Sequence, residues 1–216
     1  MIAGRRLLVV AALLAGCVDP ATKPPDQPSA ARRETPAAPP DAFDASDWAA
    51  LAETIADRER LAIRNPRGVD AWNFAVLRDA ARLTRLRLER GGDDTLADAL
   101  ADAAAIETLN LPAAELSDDG LRTLAGIASL RSLRIGGVSP SADAVDAFAQ
   151  ADRLRHLHLL DATLAADAVA AIGRIGSLQS LYLDRVLLTD DALAKLVAAR
   201  PDLHLHINAR HVEDVR

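Results

Sequence analysis

The 216-residue chain predicts an α/β repeat solenoid, with short parallel strands on the concave face and helices on the convex face. A pattern written L-x-x-L-x-L recurs five times at nearly constant spacing, and each copy is followed by apolar residues at helical intervals. Aromatic residues make up only 3% of a chain that is 50% apolar, so its core has to be built from aliphatic side chains.

The copies begin at Leu83, Ile106, Leu130, Leu154 and Leu178, spaced 23, 24, 24 and 24 residues apart, and a partial sixth from Asp202 to Ile207 falls into register. Within each copy the fourth and sixth positions, Leu86 and Leu88 in the first, are apolar, and the third and fifth are polar. That is the alternation of a strand with one buried face. Farther along, Leu121, Leu124 and Ile127, or Leu193 and Leu196, recur at helical spacing, so each unit reads strand, turn, helix. Ser117-Asp118-Asp119-Gly120 and Thr189-Asp190-Asp191-Ala192 open two such helices with a capping hydroxyl and two carboxylates, where free N–H groups and the helix dipole favour them. Recurrence at one repeat position assigns these acid pairs to capping rather than to glycoside chemistry.

Period and spacing together resemble the leucine-rich repeat family over about Leu83 to Asn208. The copies look most like the helical subtype related to cysteine-containing repeats, with the cysteine replaced. The position usually held by Asn or Cys is Gly91, Ala114, Val138, Ala162 and Val186. This departs from internalin-like and plant-receptor-like repeats, and without a side-chain amide ladder the turn carbonyls need backbone or water partners.

Asp41 to Arg82 shows no copy of the pattern. Ser46 can cap a helix through Trp48, Leu51 and Ile55, and Asp70 or its neighbours can start a second through Trp72, Val76 and Leu77, with the turn Asn65-Pro66-Arg67-Gly68 between them. Residues 42–82 thus read as a helical N-terminal cap in which Trp48 and Trp72 cover the first repeat. Residues 83–216 read as the repeat domain, ending in a short polar finishing turn from Ala209.

At the other end, Met1 to Gly16 places Arg5 and Arg6 before an apolar run from Leu7 to Ala15 and then small residues, the order of a secretory signal peptide. Nine apolar residues rise about 13 Å in a helix against roughly 30 Å of bilayer hydrocarbon, too short for a permanent span. The only cysteine closes this run, and Leu14-Ala15-Gly16-Cys17 resembles the lipobox of bacterial lipoproteins. The resemblance implies cleavage before Cys17, lipidation of its thiol and acylation of the new amino terminus, which together give stable membrane anchoring. Val18, rather than Asp, directly after Cys17 implies by the same resemblance sorting to the outer membrane of the cell envelope. Residues 17–41 hold seven of the eleven prolines and almost nothing large and apolar, so they read as a disordered tether with a reach of up to about 70 Å.

The polar strand positions line the concave face. Third positions give Arg85, Thr108, Ser132, His156, Ser180 and His204; fifth positions give Arg87, Asn110, Arg134, His158, Tyr182 and His206. Of these, Arg85, Arg87, Asn110, Arg134, His156, His158, Tyr182, His204 and His206 are the candidate partner-binding residues, a mixture resembling binding-surface composition. Six strands make a face roughly 25 to 30 Å long, suited to an extended peptide or one lobe of a small protein. The formal net charge of −6 argues against nucleic acid as a partner. Four of the five histidines sit on this face, but at about 7 Å along a strand and about 10 Å across two they do not converge on one ion, so neither metal nor other cofactor is expected. A pH-sensitive binding face is the better reading of those histidines.

The sequence has no G-x-S-x-G, no H-E-x-x-H and no phosphate-binding glycine loop, and a single cysteine rules out disulfides within the chain. Ser132 and Ser180 flank His156, but a triad also needs an orienting acid and an oxyanion hole. The expected protein is a monomeric, membrane-anchored, non-catalytic module that binds a protein or peptide partner. The alternatives are a structural spacer without a specific ligand and, behind that, a hydrolase or metal-binding protein using the concave histidines.

Overall fold

A computed structural model describes residues 42–44, 47–64, 73–103, 105–208 and 210–211. All of them lie in the second of the two units into which the chain divides, 38–216. Cys17, the expected leader and tether, Ser46, the Asn65 to Gly68 turn and Trp72 fall outside the described residues.

Eight parallel strands run in chain order through one sheet: β1 (Ala42–Asp44), β2 (Arg60–Arg64), β3 (Arg85–Leu88), β4 (Thr108–Leu111), β5 (Ser132–Gly136), β6 (His156–Leu160), β7 (Ser180–Asp184) and β8 (His204–Ile207). Strand β9 (Arg210–His211) pairs antiparallel with β8 and closes that edge. Helix α1 (Trp48–Thr54) joins the first two strands, and α2 (Asp94–Leu100), α3 (Asp118–Ala125), α4 (Ala142–Ala147), α5 (Ala166–Arg174) and α6 (Asp190–Ala199) follow β3 to β7 in turn. This is the leucine-rich repeat solenoid expected from the period.

The fourth-position leucines explain the sheet. Leu86, Leu109, Leu133, Leu157, Leu181 and Leu205 lie directly opposite one another on successive strands, and all are buried. Each covers its neighbours with the same group, and Leu96, Leu124, Val169, Ile172 and Leu196 from the helices complete one continuous core.

The segment before Leu83 carries the first expected helix, two strands, and a 3-10 helix over Phe74–Asp79 where the second helix through Val76 and Leu77 was expected. Leu61 and Ile63 pair in register with Leu86 and Leu88, so β2 is a repeat strand in all but sequence. Its first position is Arg58, whose guanidinium lies 4.2 Å over the Phe43 ring, and that substitution hides the L-x-x-L-x-L signature. Asp47 caps α1, accepting from the Ala50 N–H. Trp48 packs edge-on against Phe74 with ring centroids 5.8 Å apart, a contact within this same segment. The tail read as a finishing turn contributes β9 instead, giving the last parallel strand a partner.

The turn carbonyls are satisfied by backbone. The Thr163 N–H donates to the Val138 carbonyl, and the Leu187 N–H to that of Ala162, at the positions where an Asn ladder would otherwise stand. Gly137, Asp161 and Arg185 occupy one place in consecutive repeats, and all have positive φ (75°, 48° and 53°). Their N–H groups donate to the Leu160 carbonyl, the Asp184 carbonyl and, where the series runs out, the side-chain oxygen of Asn208. The two non-glycine members are tied by a two-bond ion pair, Arg185 to Asp161 at 2.6 and 2.7 Å.

The acids at the helix starts also link repeats. Ser117 caps α3 and itself donates, through N–H and hydroxyl, to Asp94 one repeat earlier. The Ser141 N–H donates in the same way to Asp118. Hydrogen bonds from Ser141 hold the Asp118 carboxyl below its ordinary 3.8, and the Arg174, Arg185 and Arg200 guanidinia do the same for Asp146, Asp161 and Asp202. A carboxylate with a lowered folded-state pKa stabilises the fold fully above its unfolded value and loses that contribution as pH falls through the folded one. Stability measured by urea denaturation should therefore be level from pH 7 to about pH 5 and decline as pH drops below 3.8. Equal midpoints at pH 3 and pH 7 would contradict it.

Candidate interaction surface on the sheet

Because side chains alternate along a strand, every third- and fifth-position residue leaves the core on the same side. Pairing register places Arg60, Arg85, Thr108, Ser132, His156, Ser180 and His204 in one row across the sheet. Ala62, Arg87, Asn110, Arg134, His158, Tyr182 and His206 form the second. All nine sequence-predicted binding residues lie on this face. The two added strands extend it to about 34 Å at about 4.8 Å per strand.

The face has two chemically different ends. Toward β8 the rings associate: Tyr182 stacks on His206 with centroids 4.5 Å apart and planes 12° from parallel, and leans against His158 at 5.4 Å. His204 lies 4.5 Å from His206 on the same strand. The His158 Nε2–H donates to Asp184 Oδ2 at 2.8 Å, a contact between the fifth position of one strand and the seventh of the next. Ser180 lies between His156 and His204 in its row and is only 8% exposed.

Asp184 gives His158 the orienting acid that the sequence did not pair with it. The arrangement stops there, because Ser132 and Ser180 lie beside His156, one row away. Among the described residues no group of three or more His, Cys, Asp or Glu is placed to hold a metal ion.

Toward β2 the face is cationic. Arg60, Arg85, Arg87, Thr108 and Asn110 surround an open depression whose floor includes Leu61, Ala62 and Leu86. Arg134 Nη1 donates to Asn110 Oδ1 at 3.1 Å and so fixes the amide orientation. Arg60 was missed by the sequence reading. Only the spacing from Leu61 and Ile63 to Leu86 and Leu88 could have revealed it.

In-register strands, stacked leucines and backbone-bonded turns define this unit as a leucine-rich repeat solenoid with an exposed polar sheet face. No protein-family model matches the chain. No curated protein matches it either. Among solved structures, it is similar to an internalin from Listeria monocytogenes, with 15% identity and a TM-score of 0.40 over 68% of this chain and 55% of that one. The present chain thus spans about half the length of that internalin. The strands and helices described above, rather than that likeness, establish the class.

Proposed function

We propose that the protein is a lipid-anchored interaction module of a bacterial cell envelope, held to the membrane through Cys17 and spaced from it by residues 18–41. In this reading the open sheet face binds a protein or peptide partner and performs no chemistry. The observation that carries it is the face itself: two rows of polar and aromatic side chains, from Arg60 to His206 with Ala62 the one exception, standing on a floor of buried leucines. A rigid scaffold of this kind orders little on binding, so the contact energy is retained as affinity. The lipobox-like Leu14 to Cys17 supports the anchor, and outer-membrane sorting follows from Val18 after Cys17.

Fractionation and crosslinking of intact envelopes test both halves in one experiment. The native protein should sediment with membranes and carry a crosslinked partner, and Cys17→Ser should move to the soluble fraction. A variant carrying Arg87→Glu, Arg134→Glu, His158→Ala and Tyr182→Ala should remain in the membrane but lose at least about tenfold of the crosslinked species. Membrane retention of Cys17→Ser would overturn the anchor. Undiminished crosslinking of the folded face variant would favour the spacer role.

A further inference from the structure

Four arginines of the solenoid pair with carboxylates about one repeat away: Arg82 with Glu59, Arg131 with Glu107, Arg174 with Asp146 and Arg185 with Asp161. The arginines clustered at the β2 end of the sheet face have no such partner. Arg60 lies directly opposite Arg85 in the parallel register, and Arg87 lies opposite Ala62 on one side and Asn110 on the other. Like charges directly opposed across strands are destabilising, and among the described residues no carboxylate pairs with any of the three. A chain with 31 acidic against 25 basic residues has acids to spare, yet none is placed here.

Resting on the reading of the sheet face as the binding surface, we propose that Arg60, Arg85, Arg87 and Asn110 form a receptor for an acidic peptide segment of the partner, recognised through its carboxylates. The charged groups around the depression are donors only. The guanidinia have no acceptor, Arg134 holds the Asn110 oxygen and leaves the amide N–H groups as that residue's donors, and the Thr108 hydroxyl can donate or accept. Carboxylates accept only, and they match guanidinium in planar, two-bond geometry. Arg85 and Arg87 are two residues apart on one strand, about 6.6 Å, the spacing of alternate side chains on an extended peptide. Arg60 adds a third site about 4.8 Å to the side. The patch spans only two or three charges.

The test uses full-length protein in detergent and a fluorescent decapeptide of alternating Glu and Thr, read by anisotropy at 50 and 300 mM salt. Binding should weaken at the higher salt and fall about tenfold or more when Gln replaces Glu in the peptide. Arg85→Ala and Arg87→Ala should each cost roughly tenfold, with circular dichroism unchanged, whereas His158→Ala should cost little. Equal affinity for the Glu and Gln peptides, or tighter binding of a polyphosphate chain than of the Glu peptide, would overturn the assignment. Self-association on sedimentation that Arg85→Ala abolishes would also overturn it, by making a second copy the occupant. Should the Arg85 and Arg87 variants still crosslink the envelope partner while the His158 and Tyr182 changes abolish it, this inference fails and the broader function stands.

Discussion

Gly136→Ala should destabilise the solenoid by about 2 to 3 kcal/mol, the upper part of the range for overpacking a close-packed site, and lower the melting temperature by roughly 4 to 12 °C. The cause is backbone against backbone. Strand β4 ends where Pro112 turns the chain, and a Cβ at Gly136 would collide with the Pro112 carbonyl oxygen, with its carbon at 3.0 Å and the Leu160 carbonyl oxygen at 3.3 Å behind it. No side-chain rotation relieves such a contact, so the pairing of β5 with β4 and with β6 must open. The following repeats place Leu160 and Asp184 at the same position, so the repeat as such does not demand glycine there. Gly176→Ala is the matched control. Nothing lies within 4 Å of a Cβ there, and its stability should stay within about 0.5 kcal/mol of the native protein's. Thermal melts of the two variants side by side check the pair.

Arg200→Ala should cost about 3 kcal/mol and loosen the last repeat. Arg200 closes α6, and its side chain is 12% exposed. Its Nη1 donates to the Ile175 carbonyl at 2.9 Å and its Nη2 to that of Leu178 at 2.8 Å, while Nε and Nη2 hold Asp202 at 3.0 and 2.9 Å. One planar cation thus satisfies the loop leading into β7 and the turn leading into β8. Truncation leaves those carbonyls and the Asp202 carboxylate without it. Arg200→Lys should recover only part of the loss, because a single ammonium cannot present donors in the same fork. Hydrogen exchange should show faster labelling of β8 and the end of α6 in both variants, while β3 to β5 stay protected. Uniform loss of protection across the sheet would contradict the local role given to Arg200.

How much of this was legible in the sequence follows from how repeats are built. Each unit buries the same fourth and sixth positions, so Leu83 to Ile207 announces its strands, their order and the face from which Arg87, Asn110 and His158 project. Strand β2 escaped because packing constrains only Leu61 and Ile63 there, and Arg58 sits on Phe43 where a leucine is expected. With it escaped Arg60, and therefore the opposed arginines. The His158 to Asp184 contact escaped for another reason: it runs diagonally between strands and depends on how far two side chains reach, which a period does not encode. Backbone bonding of the turns was implied by the missing Asn ladder, but the left-handed conformation at Arg185 was not, since arginine is not a residue that seeks it, and at Asp161 the modest preference of aspartate was too weak a signal.

The central claim is that the sheet face, not the helix face, meets the partner. A photo-crosslinking amino acid at Thr108 or Ser132 on the sheet, compared with Ala170 or Ala194 on the exposed side of α5 and α6, tests it most directly in intact envelopes. A discrete adduct is expected from the two sheet positions and none from the two helix positions. Adducts from Ala170 or Ala194, with none from Thr108 or Ser132, would place the partner on the opposite side of the solenoid and contradict it.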